Sequence, residues 1–171
     1  DGRPYVPAYG DLAAVNEDGL VKRSIERHVL NDIAFDYLNL LDTSSAIYEQ
    51  NGDYALGMFS SKWCRFMDDA SRRLCGTGDN QTALASGKWL CHESCWTDNA
   101  KVAIENRRPV DIKCHGGIHM YGAPIIVNGE AVGAINIGYG DPPRDPETLN
   151  ELAKHYQVSV DDLRRRAEAY E

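Results

Sequence analysis

The sequence predicts an α+β domain, an antiparallel sheet with helices packed on it, and three observations lead to that class. Asn51-Gly52 and Asn128-Gly129 each sit between short β-prone runs, the sequence form of a tight hairpin. The stretches around these hairpins repeat their apolar residues at helical spacing. The resulting order is helix, hairpin, helix, helix, strand, hairpin, helix, helix. That order lacks the strand–helix alternation of a doubly wound parallel sheet.

Residues up to about Asn16 read as loop, with Pro4, Pro7 and Gly10. Lys22 to His28 reads as a weak helical segment, with His28 on its surface. Leu30, Ile33, Ala34, Tyr37, Leu38 and Leu41 then form one apolar stripe and predict an amphipathic helix. At Ser44 the period changes, and Ala46–Glu49 and Asp53–Leu56 become the arms of the first hairpin. Phe59, Trp63, Phe66, Met67, Ala70 and Leu74 restore helical spacing, and Gly76 suits the left-handed residue that ends a helix. Trp89 to Asn106 reads as a helix stopping before Pro109, and Val110 to Cys114 as a strand. Tyr121–Val127 and Ala131–Ile137 form the second hairpin, which Asp141-Pro142-Pro143 ends. Asp145 is the expected N-cap of a helix with Pro146 in its first turn, running to Tyr156, and Ser159 caps the last helix.

A chain of 171 residues suits one domain that buries about two-thirds of its unfolded surface without disulfides or metals. Its 26 acidic and 18 basic residues give a net charge of -8, which repels phosphate backbones and argues against nucleic-acid binding. Arg164-Arg165-Arg166 lies in a helical pattern and reads as a solvated face. The most apolar stretch, Ile118 to Gly138, is interrupted by His119, Pro124, Asn128 and Glu130, so no membrane span is expected. The chain opens Asp1-Gly2-Arg3-Pro4 with no signal-peptide pattern. A cytoplasmic segment of a longer protein is the expectation.

The five cysteines lie between Cys64 and Cys114, an odd number that favours thiols, thiolates or metal ligands over a disulfide framework. Cys91 and Cys95, four apart, share one helix face with Cβ atoms about 6 Å apart. That spacing serves two thiolates on a soft metal, a redox pair, or two small buried hydrophobes beside tryptophans. Cys64 and Cys75 would lie about 16 Å apart along one helix, so both cannot ligate one ion. Cys64, Cys91, Cys95 and Cys114 are therefore the candidate metal site, for zinc or an iron–sulfur cluster, with His92, His115 and His119 as alternative ligands. Cys75 is the outsider. The glycines of Cys114-His115-Gly116-Gly117 allow a sharp turn or a close approach to a ligand. Zinc-deaminase, Walker A and dinucleotide-fold signatures are all missing.

The run Trp63-Cys64, Cys91-His92-Glu93-Ser94-Cys95-Trp96, Cys114-His115-Gly116-Gly117-Ile118, Ala123-Pro124-Ile125 and Gly133-Ala134-Ile135-Asn136-Ile137-Gly138 resembles the PocR-type sensory domain. The resemblance spans residues 31–171 and leaves 1–30 as an N-terminal extension with a lead-in helix. It implies a PAS/GAF-like fold and the input end of a bacterial signalling protein that binds a small organic ligand. The implied output is a covalently linked domain such as a histidine kinase, and a homodimer is a further expectation. Cys64, Trp96, Cys114, His119 and Tyr121 are expected around the ligand. A competing expectation is a thiol enzyme on a GAF-like scaffold, such as a small-molecule sulfoxide reductase, which needs one thiol of depressed pKa.

Overall fold

Five strands, β1 (Ser44–Glu49), β2 (Tyr54–Phe59), β3 (Val110–Lys113), β4 (His119–Val127) and β5 (Glu130–Tyr139), form one antiparallel sheet in the order β2-β1-β5-β4-β3. The structure is a computed structural model and describes residues 6–41, 43–59 and 61–170. Asn128 and Gly129 both have positive φ, 50° and 81°, as a type I′ turn requires. The first hairpin differs from a two-residue turn. Glu49 N–H bonds Asp53 O at 2.8 Å, and of Asn51 and Gly52 only the glycine is left-handed. Asn51 Oδ1 instead accepts from Asp53 N at 3.0 Å, so a longer, side-chain-braced loop replaces the tight turn.

Helices cover both faces of the sheet. On one face lie α1 (Leu20–Ser24) and α2 (Arg27–Leu41), whose Val21 and Leu30 pack on Ile47 and Leu56. The α2 helix is where the apolar stripe places it, but Ile33 is 44% exposed, and the side chains of residues 34, 37, 38 and 41 lie outside the described set. On the other face lie α3 (Lys62–Leu74), α4 (Asn80–Ala85) and a continuous helical run over 90–106. The α3 helix starts after the Ser61 cap, whose Oγ accepts from Cys64 N, so Phe59 ends β2 and does not open the helix. Gly76 follows α3 with φ 63°, the left-handed stop expected there. The short α4 has too few residues to show a period and was not legible.

The run over 90–106 is not uniform. After α5 (Leu90–His92) it widens into a π segment (Glu93–Ala100) and returns to α6 (Lys101–Asn106). Lys101 N–H reaches back five residues to Trp96 O. Arg107 in the left-handed region ends it. The terminal helices α7 (Pro146–Tyr156) and α8 (Val160–Glu168) are capped by Asp145 and Ser159 as expected. They pack on α3 through Trp63, Met67, Leu149, Leu152, Tyr156 and Leu163. Tyr9, in the loop-like N-terminal stretch, is fixed by donating to Asp68 and meeting Trp89 edge-on at 4.9 Å.

Backbones approach closely where β1 meets β5. A Cβ on Gly133 would lie 2.3 Å from Tyr48 O, a backbone atom that cannot swing away. Gly133→Ala is expected to destabilise the domain by about 2–3 kcal/mol, read as a lower urea midpoint. An unchanged midpoint would show that the strands can separate there at no cost.

Candidate functional site

The sequence brings thiols from four different places to one cavity between the sheet and the π segment. Cys64 comes from α3, Cys91 from α5, Cys95 from the π segment, and Cys114 from the loop entering β4. Ser44, Ala46, Met120, Asn136 and Gly138 form the sheet floor, and the cavity measures about 40 Å³. That is room for about three water-sized atoms.

Each wall has a physical reason for its position. Cys91 and Cys95 share a helix face at four-residue spacing, as expected, and Ser94 joins them. Asn136 holds this helix to the sheet: its Nδ2 donates to Cys95 O at 2.9 Å and its Oδ1 accepts from Ala46 N at 3.2 Å. The Cys114 loop closes on itself, with Cys114 N donating to Ile118 O at 2.8 Å and Gly117 N to Cys114 O at 2.9 Å. Gly117 has φ 86°, and a Cβ there would meet the Pro143 ring at 2.8 Å, so a glycine is required. His115 N donates to Ser94 Oγ and Trp63 Nε1 to Gly116 O, tying the loop to the π segment and to α3.

No charged side chain among the described residues lines the cavity. Burial pushes the Cys64 thiol up to about 11 and raises Cys91, Cys95 and Cys114 as well. All four are protonated at neutral pH. One polar atom is left over: Ser44 Oγ is buried beside the Cys64 thiol without a formed hydrogen bond.

Of the residues expected around a ligand, Cys64 and Cys114 line this cavity and three others do not. His119 and Tyr121 alternate with Met120 along β4, so when Met120 faces the cavity they face the opposite side. Tyr121 is 44% exposed there, and His119 stacks on Tyr139 at 5.3 Å. Trp96 follows Cys95 by one helical position, turns away, and lines a separate cleft with His92. Sequence reasoning missed Ser44, Met120 and Asn136. Met120 was within reach of the strand alternation; the other two look like ordinary strand residues.

The four expected metal ligands line this one cavity. Among the described residues no group of three or more Cys, His, Asp or Glu side chains is arranged to hold a metal ion. The four thiols surround a gap, whereas zinc and iron–sulfur clusters require thiolates that converge on one point. His115 sits outside, 3.3 Å from Asp98. Cys75 is separate, its thiol near Ser71 O, Ala83 O and Ser86 Oγ.

A family model described as the sensory domain found in PocR matches residues 23–171. The chain belongs to that family. The matched range takes in the end of α1 and everything after it. No curated protein matches the chain. A solved structure, the crystal structure of the GAF domain/HD domain protein from Geobacter sulfurreducens, aligns over 84% of this chain and 94% of that one, at 11% identity and a TM-score of 0.35. The architecture is the α+β class expected of the PocR domain, and no helix among the described residues is long and apolar enough to cross a membrane.

The protonated thiols set an expectation for reactivity. Thiol-alkylation of native protein at pH 7 should run about a hundredfold slower at Cys64 than in free cysteine, accelerating toward a midpoint near 11, and should also be slowed at Cys91, Cys95 and Cys114. A raised thiol pKa means that the folded state holds its proton more tightly than the unfolded one. The associated stability is intact below the ordinary value of 9.0 and is lost as pH rises through about 11. Rapid modification of any cavity cysteine at pH 7 would restore the thiol-enzyme reading.

Proposed function

We propose that this PocR domain is a non-enzymatic sensory input module that binds a small, neutral, largely apolar molecule carrying one hydrogen-bonding oxygen. The buried Ser44 hydroxyl, with only the weakly bonding Cys64 thiol beside it in a thiol-lined cavity, is the observation that supports this most. A buried hydroxyl with so weak a partner is costly, and a ligand oxygen would complete it. The uncharged walls disfavour ions, which would lose hydration without compensation. The volume limits the ligand to a few heavy atoms unless the walls open. Cys64 and Cys114 are the proposed flanking contacts, with Cys91 and Cys95 roofing the site.

The cavity also touches the terminal helices. Tyr156 of α7 is 1% exposed, and its hydroxyl lies 4.0 Å from Cys91 Sγ. A Cβ on Gly116 would lie 3.7 Å from the same hydroxyl. In the proposed mechanism, a ligand that displaces Cys91 or the Gly116 loop shifts the equilibrium between two packings of α7 and α8 on α3. A covalently linked output domain, such as a histidine kinase, would read that shift, within a homodimer where the output requires one.

The test is a thermal-shift and NMR screen of neutral alcohols, aldehydes and ketones of about two to four carbons. Binding should shift the Met120 and Ile118 methyl resonances. Ser44→Ala should weaken binding about fivefold to tenfold while leaving stability equal or raised by about 1 kcal/mol, because an unsatisfied hydroxyl is removed. A ligand bound equally well by Ser44→Ala would remove the assigned contact. In a second experiment, ligand should alter hydrogen exchange in α7 and α8, and Tyr156→Phe should reduce that response without abolishing binding. An unaltered response in Tyr156→Phe would place the route elsewhere.

A further inference from the structure

His92 and Trp96 follow Cys91 and Cys95 by one position and so point about 100° further round the same helical run. They face a second opening, a cleft of about 350 Å³ with Leu12 and Leu84 among its walls and Asp53 at its rim. That volume is within the range of small-molecule sites, unlike the thiol cavity as it stands.

His92 is 7% exposed, and its Nδ1 meets the Tyr54 hydroxyl at 2.9 Å. Tyr48 donates its own proton to the Tyr54 oxygen at 3.1 Å, leaving the Tyr54 proton for Nδ1. That arrangement fixes the neutral tautomer with its proton on Nε2. Burial holds the His92 pKa down to about 4, so the ring stays neutral at pH 7. No protein group among the described residues accepts the Nε2 proton; the other contacts of the ring are to the rings of Tyr54 and Trp89. The ring is buried while its Nε2 opens on the cleft, so the acceptor for that oriented proton comes from whatever occupies the cleft.

The neighbouring wall is rigid. The Trp96 ring packs 5.4 Å from Tyr48, and a Cβ on Gly52 would lie 2.7 Å from the indole. The Asp53 carboxylate and the net charge of -8 disfavour an anion there. We propose that this cleft is a second ligand site, taking a neutral ring-bearing molecule whose carbonyl oxygen accepts the His92 Nε2 proton and whose ring lies against Trp96. The site does not depend on the reading of the thiol cavity.

Benzamide and its anionic counterpart benzoate test both the site and the ligand class. In ¹⁵N-labelled protein, benzamide should give saturable shifts of the His92 Nε2 and Trp96 indole resonances. The Trp63 indole, which donates to Gly116 O at 3.0 Å, should not move. Benzoate should bind at least about tenfold more weakly, and His92→Phe, which keeps a ring but loses the donor, should weaken benzamide about tenfold. No saturable shift at His92, equal binding of benzoate, or equal binding by His92→Phe would each overturn the proposal. The His92 resonance is read in the wild-type protein, so the proposal stays falsifiable even where the variant does not fold. Ser44→Ala should leave benzamide binding unchanged, so failure here and failure of the thiol cavity are separate results.

Discussion

The Asn136 side chain governs the spacing on which the cavity depends. One carboxamide reaches both a strand and a helix: its oxygen takes the β1 amide of Ala46 and its nitrogen bonds the Cys95 carbonyl. The Ser45 hydroxyl bonds the Asn136 carbonyl from the neighbouring strand at 2.8 Å and fixes the backbone that carries it. Asn136 is 2% exposed, so these bonds form away from competing water and each is costly to break. The π segment is thereby held at one distance from β1 and β5. A larger gap would flood the cavity, and a smaller one would close it.

The chemistry of the thiols follows from that spacing. Four cysteines around a gap, with no cation among the described cavity-lining residues, have only backbone amides and hydroxyls to stabilise a negative sulfur, and burial outweighs them. Cysteine is a strong nucleophile and metal ligand only as the thiolate. Here the residue acts as a small polarisable hydrophobe, one of the three roles its spacing alone leaves open. Four of the five cysteines wall the cavity.

Much of the fold was legible because local rules decide it. Asn128-Gly129, the Asp145 and Ser159 caps and the Gly76 stop each depend on a few neighbouring atoms. That Cys64 and Cys75 cannot serve one site also came from helix geometry alone. The ligand walls were less legible because parity along β4 is set by its partner strands. Met120 pairs with Gly138 and faces the helices, which sends His119 and Tyr121 to the other side. The π segment left no composition signal. Its stabilising partners lie in distant sequence: Asn136 for the Cys95 carbonyl, and the Met120 carbonyl for Asn99 at 3.3 Å.

The same helical run separates two environments by one residue step. Cys91 and Cys95 face a closed, uncharged gap, while His92 and Trp96 face an open cleft with an acidic rim. The Tyr48 hydroxyl lies between them, bonded to Tyr54 and placed beside the Cys95 thiol. The wall of α5 and the π segment is therefore shared by the two openings. Toward the terminal helices the contact lies on the thiol side, where the Tyr156 hydroxyl is 4.0 Å from Cys91 Sγ. Of the two openings, therefore, the one lined by the thiols shares a side-chain contact with α7.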